Sequence, residues 1–417
     1  MTKLATSLRT RVGGHAGRVL ASALDPLVSG GMMFAVQAAV LLSASKIEFA
    51  TYSLVYSYVV MGQAVLSALF GGPLITLLSH MGEDARKVLG TAALRLQLLL
   101  AGALGAFSLA MAVAIGLAPA VAALAVLVMV GLSFRDAQRS VLASQLELGK
   151  ALNFSLWFAV VTVSALGTVW LATNQVSPAG ALAALATGAL GTLARPIARA
   201  LTSRVRLPRD LLERVMAMAI WSVPGAMFSW LQNGFYLTLV ALSLSLSAVG
   251  EISAARMIAM PILIMASGLL RLAQVQAGRR LAAEGAASAI RNARQLALTC
   301  VVVGVLVATA CWILDSVVDR RWLPSAYPHL LSLAGAWLAF VAATTARGVF
   351  TSLFQAMGRY RELFLCGAFV LPFVLGGVVL GPFALGLPGA VLPMVLGELA
   401  LLALLAARAQ REPRAST

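Results

Sequence analysis

Arginine and aspartate side chains interrupt an apolar stretch at residues 120–150, at a spacing that could bind an anion inside a membrane. About thirteen apolar residues open the stretch, and a helix of that length covers roughly 20 Å. The hydrocarbon core of a bilayer is about 30 Å thick. A helix that crosses it must therefore continue through Arg135, Asp136 and Arg139, which places these charges near the middle of the membrane, before it ends at Gly149-Lys150. Each charge costs about 2.5–3.5 kcal/mol if it faces lipid there.

A helical projection places these charged residues on one arc. At about 100° per residue, Arg135, Asp136 and Arg139 share that arc with Ser133 and Gln138, and the opposite arc is apolar. The pattern predicts a helix with one face toward lipid and one face lining a water-filled cationic cavity. The alternative is that the two arginines lie in a cytoplasmic loop, which leaves too few residues to cross the bilayer.

Further charged residues fall inside other apolar segments. Arg347 lies on a polar stripe with Thr344 and Thr351, so it either lines the cavity or forms a structural pair between helices. Arg256 lies close to the outer end of its segment, where it either lines the cavity or extends its guanidinium to the interface. Asp25 either pairs with a cavity arginine or favours the helix N-terminus through the helix dipole.

The remaining candidate groups are fewer. Asp136 and Arg139 are three residues apart and can form an intrahelical pair, which leaves Arg135 for a ligand. Glu398 is a lone intramembrane acid that either couples ion or proton movement or is a packed, hydrogen-bonded acid. The three cysteines and three histidines do not cluster, so we expect no metal site and no cofactor.

The composition is that of a polytopic membrane protein. Hydrophobic residues make up 60% of the 417-residue chain and charged residues 11%, which excludes an ordinary soluble domain. The net charge of +16 comes from basic residues between apolar spans. A nucleic-acid-binding protein would instead carry them along a soluble face, so we expect no nucleic-acid partner.

Twelve apolar spans are predicted, so the expected fold class is an all-α polytopic membrane protein with two parallel-repeat six-helix lobes. The repeat is indicated by the similar spacing of Arg139 before Gly149-Lys150 and of Arg347 before Gly358-Arg359. The predicted parts are an N-terminal lobe, a cytoplasmic connector, a C-terminal lobe and a cytoplasmic tail, at residues 1–200, 201–214, 215–407 and 408–417. Lysine and arginine concentrate on the side that holds both termini, which predicts cytoplasmic termini.

Prolines inside the spans predict bends. Pro73, Pro224 and Pro261 each lie within a predicted span, and an interruption of the seventh span is expected at Pro224-Gly225. Such bends are candidate pivots for alternating access, although proline is common in membrane helices in general.

Four short segments carry a recognisable pattern. Residues 25–30 read Asp-Pro-Leu-Val-Ser-Gly, and residues 46–54 form a turn that leads into the second span. Residues 134–139 read Phe-Arg-Asp-Ala-Gln-Arg, and residues 355–359 read Gln-Ala-Met-Gly-Arg. Together they resemble the polysaccharide (O-antigen type) flippases of the multidrug/oligosaccharidyl-lipid/polysaccharide exporter superfamily. The chain departs from that pattern at Pro26, where the family has glutamine, and in the turn at residues 45–48.

The resemblance implies a two-lobed transporter of the bacterial inner membrane, and no enzymatic activity. It implies that polyprenyl-pyrophosphate-linked oligosaccharide is flipped from the cytoplasmic to the periplasmic leaflet by alternating access through the cationic cavity. Guanidinium groups match phosphate geometry. The predicted substrate-binding residues are Arg135, Arg139, Arg347, Arg256, Asp136 and Asp25. Candidate partners are this lipid-linked substrate, membrane lipids and other polysaccharide-assembly membrane proteins.

Two other functions fit a twelve-span protein. A cation-coupled multidrug exporter of the same superfamily needs acids in its cavity, and the excess of intramembrane arginine argues against it. An integral-membrane glycan-processing enzyme needs a catalytic acid or histidine set in a large outer loop. The largest predicted outer loop, residues 315–327, offers only Asp315 and Asp319.

Overall fold

The structure is a computed structural model, and its described part contains twelve helices that are long and apolar enough to cross a membrane. The described residues are 24–71, 73, 77, 81, 83–114, 118–145, 147–202, 205, 207–317 and 327–410. The predicted all-α class and the number of spans are confirmed. Parts of several predictions lie outside the described residues: the basic N-terminal segment, two residues of the polar break at 80–87, part of the connector, most of the outer loop at 315–327 and the end of the tail.

The spans follow the predicted order. The spans of the first half are the helices Leu24–Ser43, Lys46–Leu66, Glu83–Ala114, Pro119–Ser144, Leu148–Thr173 and Pro178–Thr202. Those of the second half are Arg209–Asn233 with its continuation Tyr236–Ser243, Leu246–Glu284, Ala286–Val317, Leu330–Ala356, Tyr360–Leu385 and Leu392–Gln410. A π-helix, Ser67–Gly71, ends the second span, and a 3₁₀ turn, Leu387–Ala390, precedes the last helix.

Local sequence explains where several helices begin and end. Pro119 and Pro178 each stand at the first helical position, where a missing N–H costs nothing. The Ser245 side chain caps the eighth span by accepting a hydrogen bond from the Ala248 amide at 3.1 Å. Asn174 ends the fifth span in the left-handed conformation, with φ 54°.

The chain packs as two compact units. The first consists of Met1–Ala39 with Val65–Ala219, and the second of Val40–Ala64 with Ile220–Thr417. The larger part of the second span therefore packs with the second unit, although the sequence division placed all of residues 1–200 in one lobe. That the N-terminal six-helix lobe ends at residue 200 stays a prediction.

Each unit has its own apolar core. In the first unit, Phe134 and Leu193 are buried in a cluster that joins the third, fourth and sixth spans. In the second unit, Trp337 is buried and its Nε1 donates to the Ile252 carbonyl at 3.1 Å. These contacts hold the helices that carry the charged residues described next.

Candidate functional site

The first unit holds a charged cluster where the first, fourth and fifth spans meet. Arg139 donates from Nε to Asp25 Oδ1 at 3.1 Å and from Nη2 to Asp25 Oδ2, which makes a bidentate pair. The buried Asp25 carboxylate also accepts a hydrogen bond from Ser155 Oγ at 2.6 Å. Asp25 thus pairs with an arginine of the fourth span, which was one of the two alternatives in the sequence.

Arg139 makes a second ion pair within its own helix. Its Nη1 donates to Asp136 Oδ1 at 3.0 Å, and the Asp136 side chain is 46% exposed. The intrahelical pair expected from their spacing is therefore present. Arg139 is shared between one buried and one half-exposed carboxylate.

Arg135 lies inside the unit, where it is only 1% exposed. It donates to the Ser29 hydroxyl, and its guanidinium carbon lies 3.9 Å from the centre of the Phe158 ring. A cation over an aromatic face is attracted to it, more strongly when water is excluded. The expectation that Arg135 lines a water-filled cavity is wrong for this structure, because the side chain is buried. Its contact with substrate stays a prediction.

The fourth helix is continuous from Pro119 to Ser144, so the loop alternative for Arg135 and Arg139 is wrong. At 1.5 Å per residue, Arg135 lies about 5 Å and Arg139 about 11 Å from the helix midpoint. Both lie toward Ser144, the end that the predicted topology places on the cytoplasmic side. The cluster thus extends from near the middle of the helix toward Ser144, and its depth in the membrane stays a prediction.

The cluster as a whole is not cationic. Arg135 and Arg139 carry two positive charges, and Asp25 and Asp136 carry two negative charges. The side chains of Ser133 and Gln138 each bury an oxygen that has no hydrogen-bond partner among the described residues. The polar arc predicted from the sequence is present, but the cluster has as many negative as positive charges.

The second unit holds a separate ion pair between the tenth and twelfth spans. Arg347 Nε donates to Glu398 Oε2, and Arg347 Nη1 donates to Thr351 Oγ1 at 3.2 Å. Glu398 is buried. The structure therefore shows the interhelical pair that was the alternative for Arg347, and Glu398 is the packed, hydrogen-bonded acid that was one of its two alternatives in the sequence. Substrate contact by Arg347 stays a prediction.

Arg256 is half-buried in the second unit. Its guanidinium carbon lies 5.4 Å from the centre of the Trp337 ring, within the range of a cation–π interaction. This contact holds the side chain against the core of its own unit. Its predicted contact with substrate stays a prediction.

A small cavity lies beside Glu398 in the second unit. It is lined by Gln232, Asn233, Phe340, Val374, Met394, Gly397 and Glu398. The side chains of Gln232 and Asn233 each bury one polar atom that has no partner among the described residues. The cavity has no room for a water-sized molecule, so a drug-sized ligand does not fit in it.

The seventh span breaks next to this cavity. The amides of Gly234 and Phe235 both donate to the Trp230 carbonyl, at 2.6 and 3.1 Å, and the helix resumes at Tyr236. The predicted interruption at Pro224-Gly225 is wrong, because the helix runs through both residues to Asn233. The Asn233-Gly234 dipeptide was the sequence signal for the break, since this pair is typical of turns.

Among the described residues, no group of three or more histidine, cysteine, aspartate or glutamate side chains could hold a metal ion. The three cysteines are free thiols, and Cys366 is buried. The charged groups described above interact with one another, with hydroxyl groups and with aromatic rings.

These features define a polytopic helical membrane protein built from two units with buried ion pairs. Solved structures define the fold more closely. An outward-facing multidrug resistance MATE family transporter of the MOP superfamily has a TM-score of 0.67 at 14% identity, over 95% of this chain and 96% of that chain. A eukaryotic MATE transporter has a TM-score of 0.67 at 13% identity, over 95% and 98%.

A third match is a MOP superfamily transporter from Pyrococcus furiosus, for which the reverse polarity of the binding pocket suggests a different function. Its TM-score is 0.65 at 13% identity, over 95% of this chain and 96% of that chain. No family model and no curated protein matches the sequence.

At these identities the likeness shows the fold, which is that of the MATE transporters. The superfamily fold implied by the motif resemblance is confirmed, but these neighbours give no support to its polysaccharide flippase branch. Both of these neighbours are described as transporters, and the absence of enzymatic activity in this chain stays an expectation. The chain is a multi-pass membrane protein.

Proposed function

We propose that the protein is an ion-coupled exporter that moves amphiphilic organic molecules out of the cytoplasm. The observation that carries this proposal is the buried pair of Asp25 and Arg139 in the first unit. It supplies the intramembrane carboxylate that a cation-coupled exporter needs. Ionisable residues inside a membrane protein mark ion and substrate pathways in general.

The pairing of the charges argues against the flippase hypothesis and favours the exporter hypothesis. The flippase hypothesis rested on an excess of arginine, but Arg139 is paired with Asp25 and Asp136, and Arg347 with Glu398. A pyrophosphate headgroup would have to displace a carboxylate at each of these arginines. An exporter of neutral or cationic molecules needs no such displacement, and multidrug transporters share the fold.

The geometry also supports coupling to an ion. A proton on Asp25 would remove its charge and weaken both the pair with Arg139 and the hydrogen bond from Ser155. Removing one partner of a buried pair is strongly unfavourable, by about 3–5 kcal/mol. Protonation of Asp25 and the placement of the first span are therefore linked, which is the requirement for coupled transport.

A second candidate is the flipping of polyprenyl-pyrophosphate-linked oligosaccharide. The segment at residues 134–139, with two arginines on one helix, favours it. In that case the other polysaccharide-assembly proteins would be partners. Under either proposal the protein lies in the bacterial inner membrane with both termini in the cytoplasm, as the distribution of lysine and arginine indicates.

Dye transport in everted inner-membrane vesicles tests the proposal. With an imposed pH gradient, we expect vesicles that carry the protein to accumulate a cationic fluorescent dye, and D25N to abolish this accumulation. The matched control is D210N, because Asp210 is an exposed acid in the first turn of the seventh span.

Purified protein in proteoliposomes provides the second arm. If it translocates a polyprenyl-pyrophosphate oligosaccharide and leaves a panel of cationic and neutral dyes unmoved, the exporter proposal is overturned in favour of the flippase. Dye accumulation that is unchanged in D25N would remove Asp25 from the coupling mechanism.

A further inference from the structure

One carboxylate in the second unit joins the starts of three helices. Glu251 is only 4% exposed, and its Oε2 accepts a hydrogen bond from Lys46 Nζ at 3.1 Å. Its Oε1 accepts the backbone N–H of His329 at 2.7 Å. Lys46 Nζ also lies 5.4 Å from the centre of the Tyr327 ring. Glu251 therefore ties the beginning of the second span to the eighth and tenth spans.

Lys46 is held in place for this contact. Glu48 Oε2 accepts hydrogen bonds from Ser45 N at 2.9 Å and from Ser45 Oγ at 2.7 Å. The Glu48 amide donates in return to Ser45 Oγ at 3.3 Å, and this reciprocal cap fixes the turn on both sides of Lys46. At Gly250, a Cβ atom would lie 2.7 Å from the Lys46 carbonyl oxygen, so only glycine permits this close approach without a shift.

The same segment is attached at two further levels. Ala50 is buried in the apolar core of the second unit, and Leu54 packs against it. Farther along, the Ser57 carbonyl accepts a hydrogen bond from Trp230 Nε1 at 2.8 Å, and the Tyr58 hydroxyl lies 3.0 Å from Thr238 Oγ1. Residues 46–58 are thus fastened to the second unit along their length.

The chain on both sides of this segment belongs to the first unit, which ends at Ala39 and resumes at Val65. If these neighbouring residues move, the segment has two options. It moves with them and loses its contacts with the second unit, or it keeps those contacts while the chain on both sides changes conformation. Its described contacts at the outer end are polar, and both oxygens of Glu251 take part in them. Breaking one of them leaves a buried charge without compensation, which disfavours a partly detached segment.

We propose that residues 46–58 form a releasable strap of the second unit, with Glu251 as its fastening, and that the strap detaches when the transporter opens to the outside. Its part in transport rests on the proposed function, but its release does not. The Lys46–Glu251 pair is the polar contact that must break first, because it lies at the outer end of the strap.

Thiol labelling from the outside tests the release. The free cysteines Cys300, Cys311 and Cys366 are first replaced by alanine, and S57C is introduced at a buried position of the strap. In spheroplasts, we expect a membrane-impermeant maleimide to label S57C about tenfold faster in K46M than with Lys46 intact, the order of magnitude that one charged hydrogen bond contributes.

Two variants make this result specific. K150M is the matched control, because Lys150 is 68% exposed and pairs only locally with Glu147, so labelling should not change. K46R keeps the charge and should keep labelling slow, even if K46M folds poorly. Equal rates of S57C labelling in K46M, K46R and the parent would overturn the proposal that residues 46–58 are released.

Cross-linking tests the part in transport. A short bifunctional thiosulfonate reagent that joins K46C to E251C should stop dye accumulation, and reduction should restore it. Full accumulation by the cross-linked protein would overturn the transport role, even if labelling shows release. If the protein with Lys46 and Glu251 intact moves no dye at all, the exporter proposal fails. The labelling result still decides whether residues 46–58 are released from the second unit.

Discussion

Asp25 and Arg139 are 114 positions apart in the sequence, yet they form a bidentate ion pair inside the first unit. Ser155 adds a third hydrogen bond to the same carboxylate. The arginine that the sequence assigned to an anionic headgroup is thereby occupied by an acid of the protein itself.

The first prediction concerns this pair. R139A should lower the free energy of unfolding by about 3–5 kcal/mol, because it leaves the Asp25 carboxylate buried without a counter-charge. The double variant D25N/R139A should lose less than the sum of the two single variants, because the residues are in contact. Thermal unfolding of purified protein in detergent measures the effect. R214A, at an exposed arginine of the seventh span, is the control. Additive single losses would show that the pair contributes no coupling.

The second prediction concerns Ser155. S155A removes a hydrogen bond to a charged carboxylate and should lower the free energy of unfolding by about 1.5–3 kcal/mol. S164A, at an exposed serine of the same helix, should change it by less than about 0.5 kcal/mol. The two variants are compared by thermal unfolding in one detergent. If S155A and S164A unfold at the same temperature, the hydrogen bond to Asp25 does not stabilise the first unit.

The third prediction separates structure from transport at Arg347 and Glu398. E398Q alone should destabilise the protein, because it leaves the arginine without its partner. The apolar double variant R347M/E398M should recover most of that stability, since replacing both members of a buried pair is often neutral. Dye accumulation then decides the role of the pair. Loss of transport in a stable double variant shows a functional pair, and retained transport shows a structural one.

The fourth prediction concerns Trp337. W337F removes the donor to the Ile252 carbonyl and the larger ring under Arg256, so it should lower the free energy of unfolding by about 1–3 kcal/mol. W312F is a matched control, because Trp312 donates to the Ser332 carbonyl at 3.3 Å but is exposed. Equal melting temperatures for the two variants would contradict this assignment.

The sequence predicted the spans well because apolar length is a strong local signal. Arg135 and Arg139 could be placed on a helix for the same reason, since a shorter helix cannot cross the bilayer. The intrahelical pair of Asp136 and Arg139 also followed from local spacing.

The partners of the buried charges were harder to predict. Asp25 and Glu398 each had two candidate roles in the sequence, and Arg347 was not identified as the partner of Glu398, because tertiary packing decides which side chains meet. The break after Asn233 was assigned to Pro224, since proline is the more familiar signal. Membrane helices tolerate proline when neighbouring groups satisfy the freed carbonyl, whereas Asn-Gly favours a turn.

The long separation within each ion pair has a consequence for biosynthesis. At a translation rate of about 5–20 residues per second, roughly 6 to 23 seconds pass between the synthesis of Asp25 and that of Arg139. Arg347 likewise precedes Glu398 by 51 residues. During that interval each nascent span holds an uncompensated charge, so a ribosome-released fragment that ends before its partner should be recognised and degraded by membrane quality control.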